Sequence, residues 1–130
     1  MRSMGWLYPF RPRPWGDIAD EFRQIAAARP GYRHMSDIAD SAWAAGSVLL
    51  GTTSLGDLIV ADRPVPRAPW GALVVTGPWS PRTDVAPGRV RVEHVGADGE
   101  ADERPVDEAV PLFWCFVTRK FGVVPPVSLL

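Results

Sequence analysis

Few side chains in this sequence could do covalent chemistry, and each stands in a setting that argues against it. Cys115 is the only cysteine. Cysteine catalysis needs a thiolate beside a histidine base, whereas "LFWCFV" surrounds Cys115 with apolar residues that raise a thiol's pKa and hide it. Cys115 therefore reads as a buried small hydrophobe. The stretch "GTTSLG" resembles the turn that presents a nucleophilic serine, but Thr52 stands where that turn needs glycine two places before Ser54. His34 and His94 are the only histidines, neither has a metal-ligand spacing, and His94 beside Glu93 reads as a surface pair. No phosphate-cradling loop is present: the sole lysine, Lys120, lies between Arg119 and Phe121, and there is no G-x-G-x-x-G.

Asp98, Glu100, Asp102 and Glu103 form an acidic cluster without the Asp-x-Asp-x-Asp-Gly run and distal glutamate of a calcium loop. It reads as a solvated hairpin tip or as an acidic contact for a basic partner surface. No metal and no cofactor is expected.

The most distinctive stretch is "MGWLYPFRPRPWG", residues 4–16, where Trp6, Tyr8, Phe10 and Trp15 alternate with prolines and with Arg11 and Arg13. Aromatic and guanidinium planes can stack on nucleotides. Two arginines release few counterions, however, and the formal net charge of −1 provides no attractive field. An extended Pro-rich strip loses little entropy on ordering, and its aromatic side chains suit anchoring in a partner protein. The other reading folds the arm back, with Trp6 and Trp15 covering a helix face of the chain's own core.

These residues must be positioned by the elements that follow. The spacing of Ile18, Phe22 and Ile25 in "GDIADEFRQIAAARPG" predicts an amphipathic helix, with Asp17 as its cap and Pro30–Gly31 as its stop. "SDIADSAWAAG" predicts a second helix capped by Ser36 or Asp37, with Ile38, Ala42 and Trp43 on its apolar side and Gly46 as left-handed C-cap. "SVLLG", "DLIVA" and "ALVVTG" read as short strands. "RVRVEHV" alternates, placing Val90, Val92 and His94 on one face. Asp98–Gly99 then signals a hairpin, and the polar limb "EADERPV", with Pro105, suits an edge strand or a loop.

Pro64, Pro66, Pro69, Pro78, Pro81 and Pro87 mark stiff extended connections. "PLFWCFVTRKFG" fits a helix with Pro111 in its first position and Phe113, Phe116, Val117 and Phe121 sharing a face. A buried strand fits the same apolar run, and the helix is preferred.

The sequence thus predicts an α+β fold: a small, mostly antiparallel sheet with two N-terminal helices and a C-terminal helix. It divides into an arm (1–16), one domain (17–122) and an apolar tail (123–130). At 130 residues it can bury roughly two-thirds of its unfolded surface in a single core. Its longest apolar run, Pro111 to Val117, is far short of the roughly 20 residues of a spanning helix. Arginine and proline interrupt any secretory h-region. Neither secretion by a signal peptide nor a membrane span is expected.

Lys120 alone among fourteen basic residues, together with abundant Ala, Gly, Pro and Val, reads as the codon bias of a high-GC source such as an actinobacterium or its phage. Two apolar tails are more easily tied down in an assembly than on one small core. The expected function is therefore non-enzymatic: a structural or assembly protein, a virion head or tail component, acting through protein contacts as an oligomer or within a larger complex. The site of action is then the virion or the cytoplasm. The alternatives are a monomeric immunity or regulatory module using the acidic hairpin, and a small enzyme drawing together His94, a carboxylate and Ser54 or Cys115.

Overall fold

A computed structural model describes residues 11–46, 48–63, 71–96 and 98–125. Three helices and a five-stranded antiparallel sheet form an α+β fold. Helix α1 spans Trp15–Ala28 and buries Ile18, Ala19 and Phe22. Its N-cap is Pro14, with no side-chain cap, so Asp17 sits inside the first turn rather than at the cap predicted for it. There it still meets the positive end of the helix dipole.

A 3-10 turn, Pro30–Tyr32, leads into α2, Arg33–Ala45. That turn starts α2 earlier than the Ser36 or Asp37 cap anticipated. The Ser36 hydroxyl instead donates to the Arg33 carbonyl at 2.8 Å, a bond made from within a helix rather than at its start. Gly46 closes α2 in the left-handed conformation, as its position predicts. Trp43 does not join the apolar side. It is 54% exposed, its ring lying over Gly16, where a Cβ would stand 3.2 Å from it.

The strands are β1 (Leu50–Ser54), β2 (Asp57–Ala61), β3 (Ala72–Thr76), β4 (Arg89–Val95) and β5 (Ala101–Pro105), adjacent in that order. β1 lies three residues downstream of the predicted "SVLLG". Its register is set by the two-residue turn Leu55–Gly56, which pairs Ser54 with Asp57. Both turn residues have positive φ, and Leu55 replaces the Asn or Asp that usually announces such a turn. β5 is the edge strand its polarity and Pro105 suggest.

Helix α3 spans Ala109–Phe121, which settles the helix-or-strand alternative in favour of helix. A 3-10 turn, Val106–Glu108, starts it two residues before Pro111, so Pro111 falls within the first turn, where its missing N–H removes no helical bond. Gly122 ends it with φ of 69°.

Alternation along the strands gives the sheet two buried faces. Leu58, Val60, Leu73, Val75, Val90 and Val92 pack with Phe22, Ile38, Phe113, Phe116 and the other helical apolar residues in one core. Ile59, Ala61, Ala72, Val74 and Val95 form a smaller cluster on the opposite face, which contains no helical residue. Trp114, buried, donates its indole N–H to the Ser41 hydroxyl at 2.9 Å and so ties α3 to α2. Among the described residues no helix is long and apolar enough to cross a membrane.

Candidate functional site

Of the arm residues singled out above, Trp6, Tyr8 and Phe10 lie outside the described residues, while Arg11, Arg13 and Trp15 lie within them. The root of the arm is held at three points. The Arg13 backbone N–H donates to the Gly51 carbonyl at 2.8 Å, an antiparallel bridge to the outer edge of β1. The Arg13 guanidinium reaches Glu21 at 2.7 Å and the Thr53 hydroxyl at 2.6 Å. The Trp15 indole donates to the Leu49 carbonyl at 3.0 Å and packs over Gly51, where a Cβ would stand 2.6 Å from the ring. Arg13 and Trp15 thus contact the chain's own β1, and Trp15 packs against the main core. Arg11 is exposed and makes no ion pair among the described residues.

The acidic hairpin is occupied by cations of the same chain. Lys120 donates to Asp98 and to Glu100 at 2.7 Å each, and Arg119 also binds Glu100. Asp102 pairs with Arg104 at 2.9 Å, and Glu103 with Arg89 at 3.1 Å. The Lys120 ammonium holds the Asp98 carboxyl below its ordinary range, and Arg104 does the same for Asp102. The tip stays exposed, with Asp98 and Glu100 paired to the last turn of α3. No local pattern signals that Arg119 and Lys120, in the last turn of α3, meet carboxylates about 20 residues away.

Two further assignments change. His94 does not pair with Glu93, because neighbours on a strand point to opposite faces. Its ring is 8% exposed, lies edge-on to Phe121 at 6.1 Å and has Nδ1 3.1 Å from Asp98. Cys115 is exposed, on the side of α3 that faces away from the core. Of the groups that a small enzyme would need, His94 and the Asp98 carboxylate meet, whereas Ser54 does not join them. Ser54 is on β1, three strands from His94 on β4, or roughly 14 Å at about 4.8 Å per strand. Its hydroxyl accepts from Arg82 at 2.6 Å.

Arg82 belongs to a buried node that the sequence did not announce. The Asp57 carboxylate, at the start of β2, accepts the Gly77 N–H at 2.8 Å, the Ser80 hydroxyl at 2.9 Å and Arg82 at 3.1 Å. Burial pushes the Asp57 carboxyl up, and those three donors oppose it. The node fixes the loop after β3 against the β1–β2 turn.

That loop shapes a cavity of about 610 Å³ where it faces the α1–α2 corner. Pro30, Pro78, Trp79, Pro87 and Val106 contribute apolar wall, and Arg29, Arg33, His34 and Arg89 contribute its charged or titratable groups. No carboxylate lines it. Arg29 lies 4.8 Å over the Trp79 ring, a cation–π contact. His34 is 6% exposed, and its Nε2 has no hydrogen-bond partner among the described residues. An unmatched buried polar atom of this kind costs about 1–3 kcal/mol.

Burial lowers the His34 pKa, with Asp37 and the Gly31 backbone opposing. A histidine depressed in the folded state leaves the unfolded chain to bind the proton first. Stability is therefore complete above the ordinary histidine range and falls as pH drops through it. Denaturation midpoints measured at about pH 7 and about pH 5 are expected to fall more for the native chain than for His34→Gln. Equal falls would mean that His34 does not carry the dependence.

The chain matches no family model, no curated protein and no solved structure.

Proposed function

We propose that this chain is a non-enzymatic assembly protein that acts through protein–protein contacts, with the aromatic arm as its contact element. The observation that carries the proposal is the main-chain bridge between Arg13 and Gly51. It supports a reading in which the outer edge of β1 is a docking edge for an extended segment, since an edge strand offers unpaired N–H and C=O groups to any extended chain.

The bonds that Arg13, ahead of α1, makes to Gly51, Glu21 and Thr53 could equally be made by the arm of a second copy. Exchange of an identical element between protomers is a low-cost route to association. Trp6, Tyr8 and Phe10 then serve as anchors on the neighbouring subunit, because buried aromatic side chains carry a disproportionate share of interface energy. The setting we propose is a phage head or tail, where subunits joined by exchanged arms build a larger particle. The acidic hairpin is a weaker contact candidate, because Asp98 and Glu100 already hold Lys120 and Arg119.

The proposal is tested by mixing two copies carrying different affinity tags and purifying on one tag. Recovery of the second copy, lost on deletion of residues 1–14 in both, is the expected result. Undiminished recovery after the deletion, or no recovery from the full chain, contradicts it.

A further inference from the structure

The cavity at the α1–α2 corner has a charge pattern unlike the rest of the molecule. Apart from exposed Arg11, the described arginines elsewhere are matched to carboxylates, among them Arg13 to Glu21, Arg23 to Asp20 and Asp40, Arg82 to Asp57 and Arg104 to Asp102. Arg29 and Arg33 have no such match among the described residues, and both line this cavity, which has no carboxylate in its wall. Two unmatched, exposed guanidiniums beside an apolar hollow leave a local excess of positive charge at its rim. A guanidinium fork is shaped for two-point bonding to the oxygens of phosphate or carboxylate.

The rest of the wall specifies a flat apolar body next to that charge. Trp79 presents its indole at the mouth, 64% exposed, with Arg29 already seated on the ring. Pro30 and Pro87 are rigid apolar surfaces that lose no side-chain freedom on contact. At about 610 Å³ the hollow has the size of a small-molecule pocket and is far larger than a bare inorganic anion requires.

We propose that this cavity binds a small aromatic phosphate monoester, of the nucleoside monophosphate class. Its phosphate lies between Arg29 and Arg33, and its ring system stacks on Trp79. A phosphate monoester carries between one and a half and two negative charges at neutral pH, which suits two unmatched cations better than a single carboxylate does. Base-on-indole stacking tolerates many ring types, so the site selects a class of ligand rather than one base. This site is independent of the arm and goes beyond the assembly function, since the arm root contacts β1 and α1 rather than the cavity wall.

The test is calorimetric titration of the full-length chain with adenosine monophosphate, adenosine and inorganic phosphate in parallel. Adenosine monophosphate is expected to bind at least tenfold more tightly than either fragment, and to weaken as salt rises. Arg33→Ala and Trp79→Ala are each expected to weaken it about tenfold. Both residues are exposed, so these variants should retain the native denaturation midpoint. No binding of adenosine monophosphate overturns the proposal. Equal binding by adenosine overturns the role of the arginines, and equal binding by inorganic phosphate overturns that of the ring. Unchanged binding by both variants places any ligand elsewhere.

Discussion

Replacing Asp57 with alanine is expected to remove about 3–5 kcal/mol of folding stability, the cost of breaking a buried charge pair from one side. Asp57 is fully buried, and its two oxygens accept from Gly77, Ser80 and Arg82. The substitution deprives a buried backbone N–H of its acceptor and takes the carboxylate away from Arg82, whose side chain is 18% exposed. A domain of this kind has about 5–15 kcal/mol in all, so the variant should be folded only marginally. Asp57→Asn keeps one oxygen, for the Gly77 N–H, but turns an amide NH2 toward the Ser80 hydroxyl and Arg82 and removes the charge, and is expected to fall between the native chain and the alanine variant. Urea midpoints at unchanged slope give the measurement. A loss below about 1 kcal/mol for the alanine variant would show the node to be dispensable.

Gly77→Ala is expected to cost about 3 kcal/mol, the upper end of ordinary overpacking. A Cβ at Gly77 would stand 2.3 Å from the Gly56 carbonyl oxygen and 2.9 Å from the Tyr32 hydroxyl. The first of these is backbone in a tight two-residue turn, so it cannot rotate away as a side chain would. Relief requires β2 and β3 to shift at the place where Asp57 binds the Gly77 N–H. The same denaturation measurement applies, and Gly31→Ala is the comparison, because nothing lies within 4 Å of its added Cβ. Equal midpoints for the two variants would contradict the packing described.

Local pattern made much of the fold legible. The spacing of Ile18, Phe22 and Ile25 gives α1, and the alternation of Val90 and Val92 gives β4 with its buried face. Asp57–Ala61 is a strand with the limits read from its composition. Elements whose boundaries depend on distant partners were displaced. β1 shifted because its register follows an unannounced Leu55–Gly56 turn. α2 began early because the Pro30–Tyr32 turn feeds straight into it.

Seven apolar residues in a row around Cys115 hid which one faces out. Once the segment is a helix, Leu112, Phe113, Phe116 and Val117 share the inward side, and Cys115 falls about 100° or more from its centre. The candidate sites were less legible than the fold. The Asp57–Arg82 node, the capture of Asp98 and Glu100 by α3, and the cavity between the α1–α2 corner and the loop after β3 all join residues 20 or more apart in sequence. No periodicity reports contacts of that kind. Arg13 and Trp15 were singled out for their company in the arm. Their bonds to Gly51 and Leu49 depend on where β1 lies, which the sequence misplaced.

The central claim is that the aromatic arm joins one copy of this chain to another. Light scattering on the purified chain, beside a variant lacking residues 1–14, tests it most directly. The account predicts a full-length mass that is a multiple of 14.2 kDa and a folded monomer for the truncated chain. A monomeric full-length chain, or a truncated chain that keeps the full oligomeric mass, would contradict it.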